Sequence, residues 1–146
     1  MGSIHFFYIQ QTSVLTQKKK LKNYLLYKSN LYGRPISGLQ IIFCSDEYLL
    51  KINQDFLSHD YYTDIITFDL GVKESEAIQG EIYISLDRVK DNASQHGVSY
   101  KTELHRVIFH GLLHLLGFKD KKKSDQTLMR AMEDEFLLHY EQFHTT

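Results

Sequence analysis

His110 and His114 stand four residues apart in a run, 104–116, whose apolar residues recur at helical spacing. On a helix that spacing puts both imidazoles on one face, one above the other, where two neutral rings can share a metal ion. Gly117 follows three residues after His114, and Asp120 three after that. A glycine ending a helix in the left-handed conformation reverses the chain sharply, and such a turn carries Asp120 back toward the same ion. The pattern H-x3-H-x2-G-x2-D thus supplies three ligands, His110, His114 and Asp120, and leaves a fourth position open. That describes a catalytic zinc site better than a structural one. The same three residues form the expected catalytic group, because an ion held there lowers the pKa of water toward ~7 and polarises a phosphoryl or carbonyl oxygen. Two histidines at this spacing alone would carry little weight, and Asp120 between Lys119 and Lys121 also reads as a solvated loop carboxylate. The glycine and the acid at fixed offsets make the pattern specific.

The elements that must position these ligands follow from periodicity. Residues 3–10 are apolar and aromatic and read as a strand. Residues 16–32 read as an amphipathic helix with Leu21, Leu25 and Tyr32 inward, closed by Gly33 and Pro35. A buried strand is expected over 39–44, then a helix capped by Ser45 and running to about Phe56. Residues 64–70 and 81–86 read as two more strands, joined by a polar loop through Glu74 and Gly80. Helices are expected over 86–96, ending at Gly97, and over 99–116, ending at Gly117. The last helix is expected over 124–143, with Met129, Met132, Phe136, Tyr140 and Phe143 at three- and four-residue spacing. The order β-α-β-α-β-β-α-α-α suggests one mixed sheet of about four strands covered by about five helices, an α/β (α+β) fold.

The 146 residues fit a single domain spanning 1–146, with no internal repeat. Hydrophobic residues at 42% and charged residues at 24% exclude global disorder. A net charge of −1 means that nucleic-acid affinity must come from a local patch. Cys44 is the lone cysteine, so there is no intrachain disulfide and no Cys-based zinc site, and a reducing cytoplasm is the natural compartment. No apolar run approaches the ~18 residues that span a membrane. The N-terminal apolar run 4–9 is too short for a signal-peptide core. A cytoplasmic monomer is expected.

The segment His110-Gly111-Leu112-Leu113-His114-Leu115-Leu116-Gly117-Phe118-Lys119-Asp120 resembles the metal signature of metzincin proteases, with one difference. Those enzymes place their general base, Glu, directly after the first His; here that position is Gly111. The segment is more similar to the metal motif of the YbeY family of bacterial rRNA maturation endoribonucleases. Two further blocks carry the resemblance: 52–68, with Ile52-Asn53 followed by Thr63-Asp64-Ile65-Ile66-Thr67-Phe68, and Gly80-Glu81-Ile82-Tyr83-Ile84-Ser85. The blocks run in the family's order from about residue 52 to 120, and the first 40 residues carry none. The resemblance implies a mixed α/β fold with a zinc site at one end of a cleft. It also implies a single-strand-specific endoribonuclease in 16S rRNA 3′-end maturation and ribosome quality control, with rRNA and the small ribosomal subunit as partners. His110, His114 and Asp120 fall on the family's three ligands. The third is more commonly His, and an anionic carboxylate there reduces the ion's effective charge and can admit other divalent metals. Leu57 stands where many members carry Arg, which removes a guanidinium that could clamp phosphate.

An RNA reading needs cations near the metal. Lys119 and Lys121 flank Asp120, Arg106 lies one turn before His110, and His59 can partly replace the missing guanidinium; these four are the candidate RNA contacts. Lys18, Lys19, Lys20 and Lys22 form a second cluster that reads better as a solvated helix face. Tyr61 and Tyr62 offer stacking surfaces for unpaired bases, though tyrosines before a strand more often pack. Asp64 and Glu81 are carboxylates expected near the cleft. Two rival readings remain: a ribosome-associated RNA-binding factor with a structural or vestigial metal site, and a metal-dependent hydrolase of another substrate.

Overall fold

Alternation along the chain decides which residues meet at the site. The computed structural model describes residues 2–12, 15–71 and 76–144. In chain order these form β1 (Ser3–Tyr8), α1 (Lys18–Leu31), β2 (Ile36–Cys44), α2 (Asp46–Leu57), β3 (Ile65–Asp69), β4 (Ile78–Ser85), α3 (Leu86–His96), α4 (Tyr100–Leu115) and α5 (Lys123–Gln142). The sheet has the order β1-β2-β4-β3; β1, β2 and β4 are parallel, and β3 runs antiparallel to β4 at the edge. This is the expected small mixed sheet with five helices, an α+β domain.

Both faces of the sheet are covered, which is why β2 reads as a nearly continuous apolar run. One face carries the larger core, where Leu21, Tyr24 and Leu25 of α1, Ile108, Phe109 and Leu112 of α4, and Phe136 of α5 pack over Ile41, Ile82 and Ile84. The other face carries α2, whose Leu49 and Ile52 pack on Cys44 and Ile66. Serine caps start α2, α3 and α4: Ser45, Ser85 and Ser99 each accept a hydrogen bond from the backbone N–H three residues on.

Helix α4 lies unusually close to the sheet. A Cβ on Gly111 would sit 2.8 Å from Ile82 Cδ1 and 3.0 Å from Ile65 Cδ1. One turn along, Leu115 lies on the backbone of Gly80, where a Cβ would meet Leu115 Cδ1 at 3.1 Å. Gly80 is therefore a strand residue, not part of the connecting loop expected from sequence. Its glycine serves close packing rather than a turn. Glu74, expected in the same loop, lies outside the described residues. Strands β2 and β4 also begin earlier than expected, at Ile36 and Ile78, because these residues pair with each other across the parallel ladder.

Candidate metal centre

The last turn of α4 sets the site. Gly117 takes a φ of 103°. Its N–H donates to the carbonyl of His114 at 3.0 Å, and the Phe118 N–H donates to that of Leu113 at 3.0 Å. This paired closure, with a left-handed residue at its centre, turns the chain back along the helix. Asp120 returns as the spacing requires: its Oδ2 lies 3.1 Å from His114 Nε2 and 3.3 Å from His110 Nε2. The two imidazoles meet edge to face with centroids 4.6 Å apart. One donor atom from each of His110, His114 and Asp120 falls within 4.8 Å of the others. Two imidazole nitrogens and a carboxylate oxygen so gathered can hold a divalent metal ion.

A fourth residue completes the group. Glu133, on α5 and only 5% exposed, takes the Nδ1–H of His110 on its Oε2 at 2.6 Å. That bond leaves Nε2 as the nitrogen turned toward Asp120 and locks the ring's orientation, the usual way a carboxylate prepares a histidine for a metal. Burial pulls the His110 imidazole down, but the Glu133 hydrogen bond and charge, joined by Asp120 and Asp64, outweigh it and hold the ring above the ordinary histidine range. Spacing around the motif does not reveal Glu133. The available signal is an acid inside the apolar stripe of α5, four residues after Met129 and three before Phe136. A charge placed there must find a buried partner.

The site opens into a cleft of about 840 Å³ walled by α4, α5, β3 and the connection from α2. Of the four candidate RNA contacts, His59, Lys121 and Arg106 line it and Lys119 does not. Lys119 and Lys121 are exposed. His59 stacks on Tyr61, ring centroids 5.1 Å apart, with its Nδ1 3.0 Å from the tyrosine hydroxyl. Arg106 is already engaged: Nη1 donates to Glu133 Oε1 at 2.9 Å and Nη2 to Asp134 Oδ1 at 2.6 Å. It braces the His110–Glu133 pair instead of offering a free guanidinium. Leu57 lies on the wall and is 39% exposed. Asp64 is on the wall too, with Asn92 donating to its Oδ2 at 3.4 Å. Burial raises its carboxyl above the usual range, against the pull of His110. Glu81 is elsewhere. Strand alternation turns it, with Tyr83, away from the face that Ile82 and Ile84 present to α4, and its Oε1 accepts from the Tyr83 hydroxyl at 3.2 Å.

Gly111, where metzincin proteases keep their base, faces the sheet. A glutamate there would meet Ile82 and Ile65 at its Cβ already, so the packing of α4 on the sheet disfavours a side chain at the position of the peptidase base.

The family model described as Endoribonuclease YbeY matches residues 7–141, reaching well before the first block legible in the sequence. The Endoribonuclease YbeY of Cytophaga hutchinsonii is 50% identical over 135 residues, covering 90% of this chain and 92% of the relative. That of Christiangramia forsetii is 43% identical over 143 residues, covering 97% and 98%. A Thermotoga maritima protein of known solution structure is similar in fold, with a TM-score of 0.62 at 23% identity over 94% of this chain and 89% of its own.

Proposed function

This chain belongs to the YbeY endoribonuclease family, and from that premise we propose that it cleaves single-stranded RNA, with 16S rRNA near its 3′ end as substrate, in small-subunit maturation and quality control. The observation that carries the reading is the convergence of His110, His114 and Asp120, with Glu133 behind them, at the wall of an open cleft. These three residues would hold one zinc-class ion. When bound, such an ion polarises a phosphoryl oxygen and acidifies water at neutral pH.

The chain's own residues do the rest. Glu133 and Arg106 hold His110 in one orientation, and the Gly117 turn holds Asp120 against His114. Asp120 brings one negative charge to a divalent ion, so the occupied centre keeps a net positive charge to draw in a phosphodiester. That matters here. Cleft-lining Asp64, Asp69, Glu103, Asp120 and Glu133 outnumber Arg106, Lys121 and Arg130. The protein wall alone therefore does not attract a polyanion. Lys121 and the exposed Lys119, Lys122 and Lys123 beside Asp120 supply the backbone contacts. The stacked His59–Tyr61 pair presents a flat surface to an unpaired base, which suits single strands. The family's common Arg is replaced by Leu57, so grip shifts to this aromatic edge. We place the protein in the cytoplasm as a monomer. Its lone thiol, Cys44, is buried and pushed up to about 12, which keeps it unreactive. Among the described residues no helix is long and apolar enough to cross a membrane.

The test is cleavage of an end-labelled single-stranded 16S 3′ fragment by the wild type and His114→Ala, purified in parallel with metal content measured. Loss of cutting and of bound metal in the variant supports the reading. Equal cutting by both means a contaminating nuclease. RNA binding without cutting by either transfers the assignment to a ribosome-associated binding factor.

A further inference from the structure

On the far side of α4 from the metal centre, a second cavity of about 320 Å³ lies among α1, α4 and α5. Its wall includes Lys20, Lys101, Thr102, His105, Tyr140 and Glu141. His105 and His110 share a helix but sit five residues apart, roughly 140° around its axis. An occupant here therefore does not touch the metal ligands, and the inference does not rest on them.

The wall is rich in donors and poor in acceptors. Among the described residues neither Lys20 nor Lys101 has a carboxylate partner; Lys20 Nζ lies 4.4 Å over the Tyr140 ring. His105 is 6% exposed and makes ring contacts to Phe109 and Tyr140 but, among the described residues, no side-chain hydrogen bond. Burial, then Lys101 and Lys20, push its imidazole down to about 4, so it is neutral near pH 7 and keeps an N–H to donate. Tyr140 contributes its ring to the wall; its hydroxyl is shut off from solvent, so an occupant of the cavity does not reach it. His105 is therefore the buried, unpartnered polar side chain on the cavity wall, and its ring N–H calls for an acceptor that the protein does not supply. Glu141 is the wall's one carboxylate.

We propose that this cavity binds an anion bearing a terminal phosphate, either a small phosphate ester or the 5′-phosphorylated end of an RNA. Two ammonium groups without carboxylate partners match the two charges of a phosphomonoester dianion, and its three terminal oxygens offer more charge and more acceptor sites than a phosphodiester's two or a chloride. The lysines that the sequence presents as a solvated face thus gain a ligand through the packing of α1 beside α4.

The test follows the His105 imidazole by ¹H–¹⁵N NMR in the full-length protein during titration with inorganic phosphate, adenosine 5′-monophosphate, and single-stranded oligoribonucleotides with 5′-phosphate or 5′-hydroxyl ends. A saturable His105 shift is expected, weakened about tenfold by Lys20→Gln with Lys101→Gln and unchanged by His114→Ala. Preference for the 5′-phosphorylated oligonucleotide over the mononucleotide identifies an RNA end, and equal affinity identifies a small ester; both support the site. No saturable shift with any probe, or wild-type affinity in the folded double-lysine variant, overturns it.

Discussion

His110 and His105 lie on the same helix, and their surroundings pull them in opposite directions. His110 faces an open cleft, carries a carboxylate on its Nδ1 and is held above the ordinary histidine range. His105 is buried beside two lysines and is pushed down to about 4. Residue type and helix are shared; what differs is that α5 brings Glu133 to one ring, while the other is buried and has Lys101 of α4 itself and Lys20 of α1 nearby. A histidine's chemistry is set by what packs across from it.

The largest expected effect separates the two rings outright. His110→Ala should remove one of three ligands and lower zinc affinity by at least about a hundredfold, with cleavage lost alongside, whereas His105→Ala should leave zinc affinity unchanged. Competition titration with a chromophoric chelator reads both, and equal losses would collapse the contrast. Next comes Glu133→Gln, which keeps the shape but removes the charge behind His110. Zinc affinity should fall about 10–100-fold, while Arg106 keeps its bond to Asp134. Wild-type affinity there would mean that the short His110–Glu133 bond is only structural.

Gly111→Ala probes the seat beneath the metal ligands. Its new methyl meets Ile82 Cδ1 at 2.8 Å, so denaturant unfolding should report a loss of about 1–3 kcal/mol. An unchanged midpoint would mean that α4 lifts freely from the sheet. The most gradual effect, per unit of pH, is on pH dependence. A histidine whose folded pKa is depressed binds a proton more readily when unfolded, so its contribution to stability falls as pH drops below about 6.5 and levels off near 4. Across that window His105 should tilt unfolding free energy by up to about 1.4 kcal/mol per pH unit, and His105→Gln should flatten the slope. A parallel profile in the variant would show that the ring is not held neutral.

Legibility followed range along the chain. Ser45, Gly97 and Gly117 mark helix ends because capping needs only adjacent residues. The strand starts at Ile36 and Ile78 were missed because each is a strand residue by virtue of pairing with the other. Gly80 reads as a turn until Leu115 is found lying on it. Glu81 and Asp64 look equivalent as cleft acids, but Asp64 lies just before β3 on the cleft wall, and the pleat of β4 sends Glu81 to the α2 face. Arg106 looks free beside the ligands because nothing nearby in the chain announces Glu133 and Asp134 across from it.

What the chain determined by itself is the ligand triad. His110, His114, Gly117 and Asp120 fall within eleven residues, and helix pitch plus one left-handed turn bring them together without help from distant segments. Only the tertiary structure decided which nitrogen of His110 faces Asp120, which carboxylate stands behind the ring, which cations stay free and why residue 111 is glycine. Those outcomes depend on how α5 and the sheet pack against α4. Such contacts join residues more than twenty positions apart and leave no periodic trace in the sequence.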